Sequence, residues 1–108
     1  LLYGLNIIIF TLQHKDMINF LNINQEHNNN PKINFVHLDM DTYPSTKFAL
    51  ERLKPYLNKN AIVIFDELYN YAGWEHGEYK ALQEVFQDDE YIFKAFNTLG
   101  HQVVIQIK

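Results

Sequence analysis

Four carboxylates each follow an apolar run directly: Asp39 and Asp41 after Ile33-Asn34-Phe35-Val36-His37-Leu38, and Asp66 and Glu67 after Ala61-Ile62-Val63-Ile64-Phe65. Both runs are rich in β-branched and aromatic residues and read as strands. If the strands are parallel neighbours, roughly 4.8 Å separates them, and side chains leaving their ends can converge on one point. In open α/β sheets that edge is where ligands bind. Carboxylates gathered so closely repel one another and raise each other's pKa unless a cation lies between them. Mg²⁺ is the expected occupant, because it is a hard ion that prefers oxygen ligands and keeps some of its water. The plainer alternative is that Asp at a strand end or helix start serves as an Asx turn or a cap. Asp39 and Asp41 share a direction only if the extended conformation continues past Leu38.

The elements that would position these acids follow from the apolar pattern. Leu5 to Leu12 reads as a covered strand, Asp16 as the cap of a short helix carrying Met17, Phe20 and Leu21, and Asn22 to Lys32 as a polar surface loop broken at Asn30-Pro31. Pro44-Ser45-Thr46 supplies helix-start chemistry, with Ser45 and Thr46 as caps, before an apolar stripe of Ala49, Leu50, Leu53, Tyr56 and Leu57. Strand, helix and strand therefore follow one another at the spacing of a crossover, which places both strand ends on one edge of the sheet. Residues 68 to 76 form an aromatic loop. A helix with Tyr79, Leu82, Val85 and Phe86 on one face follows, closed by Gln87-Asp88-Asp89-Glu90. Tyr91 to Asn97 and His101 to Ile107 make a terminal hairpin joined by Thr98-Leu99-Gly100. The expected architecture is α/β, with crossover helices on a parallel sheet and a C-terminal antiparallel hairpin, in one domain over residues 1–108.

Composition narrows the function classes. A formal charge of −4 with a single arginine, Arg52, leaves no electrostatic footprint for nucleic acid or an anionic membrane. The absence of cysteine excludes a disulfide scaffold and a thiolate zinc site, leaving Asp, Glu and His as metal ligands. Leu1-Leu2-Tyr3-Gly4 has neither an initiator Met nor a cationic flank, and the apolar run to Leu12 is too short to span a bilayer. A cytoplasmic location and a start partway through a larger domain are the expectations.

Three segments resemble the C-terminal half of the macrocin O-methyltransferase family of class I S-adenosylmethionine-dependent methyltransferases: Val36 to Thr46 (VHLDMDTYPST), Ile62 to Leu68 (IVIFDEL) and Gly73 to Ala81 (GWEHGEYKA). The resemblance implies a partial Rossmann-like sheet in which the strands before the acids are the fourth and fifth and the hairpin strands the last two. It implies S-adenosylmethionine as methyl donor and a small-molecule hydroxyl, of a sugar or natural product, as acceptor. It further implies that Asp39, Asp66 and Glu67 hold Mg²⁺ and that Asp41 is the general base. The metal would lower the pKa of the acceptor hydroxyl while Asp41 removes its proton. Asp66-Glu67 stands where metal-dependent members carry Asp-Asp. The only glycines are Gly4, Gly73, Gly77 and Gly100, so no Gly-rich cofactor loop is visible and the cofactor-binding residues stay unassigned.

Other readings remain open. Asp39-Met40-Asp41-Thr42 also resembles the nucleophile motif of haloacid dehalogenase-type Mg²⁺-dependent phosphatases, and an acid-any-acid after a strand resembles a glycosyltransferase metal motif. A non-catalytic binding or oligomerisation module, pairing through an exposed sheet edge into a homo-oligomer, is a third class. In the aromatic loop, Tyr69, Trp74 and His76 are the candidate acceptor-binding residues, as a lid or as a satellite hydrophobic cluster with a surface histidine. His37 and His101 read as ordinary sheet residues.

Overall fold

The computed structural model describes residues 11–12 and 33–108. Its five strands are β1 (Thr11–Leu12), β2 (Ile33–Leu38), β3 (Leu57–Phe65), β4 (Tyr91–Phe96) and β5 (Val103–Ile107). They lie side by side in the order β1-β2-β3-β5-β4. β1, β2 and β3 run parallel, whereas β5 is antiparallel to both β3 and β4. The expected hairpin is therefore present, with β5 inserted beside β3 and β4 on the outside. The rest of the expected first strand, the helix after Asp16 and the Asn22 to Lys32 loop fall outside the described residues.

Among the described residues two α-helices join the strands: α1 (Tyr43–Leu53) crosses from β2 to β3, and α2 (Glu78–Val85) leads from β3 towards β4. The expected stripe on α1 is only partly helical. Ala49, Leu50 and Leu53 are buried on the helix, but the chain tightens into a 3-10 turn at Lys54–Tyr56 around Pro55. Proline cannot donate an amide to a continuing helix, so Leu57 opens β3 instead. Thr46 does not cap α1 as expected. It is buried in the first turn, with its hydroxyl donating to the Thr42 carbonyl at 2.7 Å, and the N-cap position itself is Thr42.

The core alternates along the strands: Ala61, Val63 and Phe65 of β3 and Val103, Ile105 and Ile107 of β5 are buried, while Ile62 and Ile64 are half-buried. β3 is thus less evenly covered than a doubly buried strand. Its buried side meets Leu50 and Leu53 of α1 and Leu82 of α2 in one hydrophobic cluster. Polar contacts lock the helices together at their rims. Tyr43 hydrogen-bonds Glu84, Lys47 pairs with Glu84 at 3.2 Å, and the Lys54 ammonium donates to the Val85 carbonyl at 2.8 Å.

Gly100 closes the hairpin with φ +81°, and a Cβ there would meet the Tyr69 ring at 3.2 Å. Gly100→Ala adds both a left-handed penalty and that collision, and is expected to cost about 1–2 kcal/mol. Urea unfolding of the variant checks this, and an unchanged midpoint would contradict it.

Candidate functional site

β2 and β3 end in matched register, with Leu38 opposite Phe65, and the ladder runs one step further because the Asp66 amide donates to the Leu38 carbonyl at 3.1 Å. Asp39 and Asp66 thus leave adjacent, parallel strand ends side by side. β2 ends at Leu38. The chain then turns at Asp41, which lies in the left-handed region at φ 63°, with the Thr42 amide donating to the Met40 carbonyl at 2.7 Å. Met40 is buried at this turn, and the Asp41 side chain comes close enough to Asp39 to act on its pKa. The two acids meet by way of a turn rather than by strand alternation. Partial burial, the charges of Asp66 and Asp41 and a hydrogen bond that protonated Asp39 donates to Asp41 raise the Asp39 pKa, with the charge of His37 opposing.

Asp66 is flanked by two side chains that sequence reasoning passed over. Gln102 donates its amide to Asp66 Oδ1 at 2.9 Å, and His37 Nε2 lies 3.4 Å from the same oxygen without forming a hydrogen bond. His37 is therefore a member of the site's edge and not merely a sheet residue. Its signal was its position two residues before Asp39. Gln102 had none, since it arrives from the far side of the hairpin.

Glu67 is exposed at the side chain, and its amide is held by Glu78 Oε1 at 3.1 Å. Glu78 is fully buried at the start of α2. Burial, and then the charges of Glu67, Asp66 and Asp39, push its pKa up to about 8 against the lowering effect of the Glu67 amide bond. It is another residue the sequence reading missed, because a glutamate on an amphipathic helix ordinarily faces water. Burial, followed by the charges of Glu78 and Glu67, also raises the Tyr71 phenol, so this ring of the aromatic loop faces the acids. Its hydroxyl packs over Gly77, 2.6 Å from where a Cβ would stand.

The loop residues assigned to the acceptor pack among themselves. Tyr69 meets Trp74 edge-on at 6.0 Å and Phe96 at 5.3 Å, while Trp74 meets Tyr79 at 4.9 Å. Three hydrogen bonds pin the loop to the hairpin: the Leu68 amide to the His101 carbonyl at 2.7 Å, Asn70 Nδ2 to the Leu99 carbonyl at 2.6 Å, and His101 Nε2 to the Asn70 carbonyl at 3.1 Å. The arrangement is a packed aromatic wall tied to its neighbours. His76 sits exposed in the 3-10 turn Trp74–His76.

The donors suit a hard cation in kind, but not in arrangement: among the described residues, no group of three or more His, Asp or Glu side chains could hold a metal ion. Nor does a described glycine follow β1 or β2, where backbone would have to approach a cofactor; Gly73, Gly77 and Gly100 lie in the aromatic loop and the hairpin. Among the described residues, no helix is long and apolar enough to cross a membrane.

No protein-family model matches the chain, and no curated protein does. Solved structures do. The crystal structure of CalS11, calicheamicin methyltransferase, superposes with a TM-score of 0.66 at 28% identity, over 86% of this chain and 34% of that one. The apo structure of CalS11, described as TDP-rhamnose 3′-O-methyltransferase, an enzyme in calicheamicin biosynthesis, gives a TM-score of 0.64 at 30% identity over 82% and 35%. The chain spans about a third of the length of these structures. The likeness supports the class I O-methyltransferase fold and does not single out the macrocin family within it. With its mixed sheet, crossover helices and terminal hairpin, this chain carries a partial Rossmann-like class I methyltransferase fold related to that of CalS11.

Proposed function

We propose that the chain is the acceptor-side portion of an S-adenosylmethionine-dependent O-methyltransferase acting on a small-molecule hydroxyl, of the kind a sugar carries. The observation that most supports this is the meeting of Asp39, Asp41 and Asp66 at one edge of two parallel strands, in a fold like that of a sugar O-methyltransferase. S-adenosylmethionine, when bound, supplies an electrophilic methyl group. The residues of this chain then have two tasks. Carboxylates at the strand ends accept hydrogen bonds from the acceptor and fix its orientation. Asp41, exposed and joined to Asp39, takes the hydroxyl proton as the oxygen becomes nucleophilic. Tyr69 and Trp74 offer flat apolar faces on which a sugar ring can pack, and His76 a hydrogen-bonding edge.

No step is routed through Mg²⁺. The finer assignment of a metal to Asp39, Asp66 and Glu67 rests on the family resemblance, and adding or chelating Mg²⁺ in the same assay reads it out separately. The test is to incubate the full-length gene product with methyl-labelled S-adenosylmethionine and TDP-rhamnose, and to look for label on the sugar by mass spectrometry. Label on the sugar supports the reading. Absence of both transfer and S-adenosylmethionine binding would reject it.

A further inference from the structure

Three consecutive amides just past β3 are each held by a different element. The Asp66 amide donates to Leu38 of β2 at 3.1 Å, the Leu68 amide to His101 of the hairpin at 2.7 Å, and the Glu67 amide between them to Glu78 Oε1 of α2 at 3.1 Å. Only the middle one is held by a side chain. That side chain is an unexpected choice for its place. Glu78 is 0% exposed, its helix neighbours on the buried face are Ala81 and Leu82, and its second oxygen, Oε2, is buried without a hydrogen-bond partner. A buried carboxyl with an open acceptor lowers stability relative to an apolar side chain of similar length. Packing therefore does not account for it, and its one hydrogen bond does. The groups facing it are Glu67, Asp66 and Asp39 from the strand ends and Tyr71 from the loop.

We propose that Glu78 is a positioning residue of the carboxylate edge: from the first turn of α2 it clamps the backbone between Asp66 and Glu67, so that both acids leave β3 in one fixed direction. With the clamp removed, the Glu67 amide loses the partner it has among the described residues and the peptide between the two acids is free to rotate. Asp66 would then keep its ladder bond and Leu68 its hairpin bond, while the link between them loosens.

The experiment compares wild type, Glu78→Gln, which keeps an oxygen able to accept the amide, and Glu78→Met, which fills the volume without one. Amide hydrogen exchange by NMR is read at Glu67 against Val63 and Ile105. Glu78→Met is expected to speed exchange at Glu67 by about tenfold or more while sparing the two core amides, with Glu78→Gln close to wild type. Unchanged protection at Glu67, or equal loss at all three amides, would overturn the clamp. Should Glu78→Met fail to fold, Glu78→Asp, one methylene short of the amide, carries the same expectation. A second arm rests on the methyl-transfer reading: in the full-length protein Glu78→Met should lower kcat by about tenfold or more with KM little changed, and Glu78→Gln should restore it. Equal kcat in Glu78→Met and wild type counts against positioning. A wild type without methyl transfer removes the functional reading alone, and the exchange result still decides the clamp.

Discussion

Asp41→Asn in the full-length protein is expected to reduce methyl transfer by about 10²–10⁴-fold, the usual worth of a general base, while leaving the fold intact. The substitution is unusually clean at this position. Asp41 occupies left-handed backbone at φ 63°, a region that Asn enters as readily as Asp and most other residues avoid. Asn also matches the carboxylate in size, so the turn that buries Met40 should survive, and only the capacity to take a proton is lost. Asp41→Ala would confound the two by adding backbone strain. Initial rates with TDP-rhamnose and circular dichroism of the same preparations make the measurement. Turnover within a few-fold of wild type would remove Asp41 from the mechanism.

The second large effect is on stability against pH. Glu78 holds its proton up to about 8 in the folded chain, chiefly because it is buried, where an exposed glutamate gives it up near 4.5. The folded state therefore binds the proton more tightly than the unfolded state. The sign follows: the contribution is complete below pH 4.5 and is lost as pH rises through 8. Between those values it falls by on the order of 1.4 kcal/mol per pH unit for one proton. Glu78→Gln has no proton to lose, so its stability relative to wild type should climb steadily from pH 5 to pH 8. Taking the difference between variant and wild type cancels the titration of the groups the two share. Urea unfolding at several pH values measures it, and a difference independent of pH would show that Glu78 is ionised throughout.

Much of the frame was legible because it depends on local pattern. β2 begins and ends where the apolar run does, and the helix before Phe86 and the two hairpin strands lie within a residue or two of their expected places. β3 was read as starting at Ala61, yet it begins at Leu57. The intervening Asn58-Lys59-Asn60 looks like a turn, but Leu57 pairs with Ile33 and Asn58 hydrogen-bonds Asn34 across the strands at 2.7 Å, which compensates for the poor strand propensity. The pairing of Asp39 with Asp66 was legible for the same reason as the fold: parallel neighbours end on one edge. What was hidden is what reaches that edge from elsewhere. Glu78, Gln102 and Tyr71 are ordinary polar or aromatic residues in sequence, and their roles depend on which neighbour the fold sets against them.

The antiparallel course of β5 has a consequence for synthesis. Because this strand runs against β3, its beginning lies beside the acids, and Gln102 reaches Asp66 from 36 residues further along the chain. Contacts of such separation form late. A ribosome that has released Asp39, Asp41 and Asp66 has still to deliver the residue that orients one of them, so a nascent chain stopped short of Gln102 would display its acids without their amide partner.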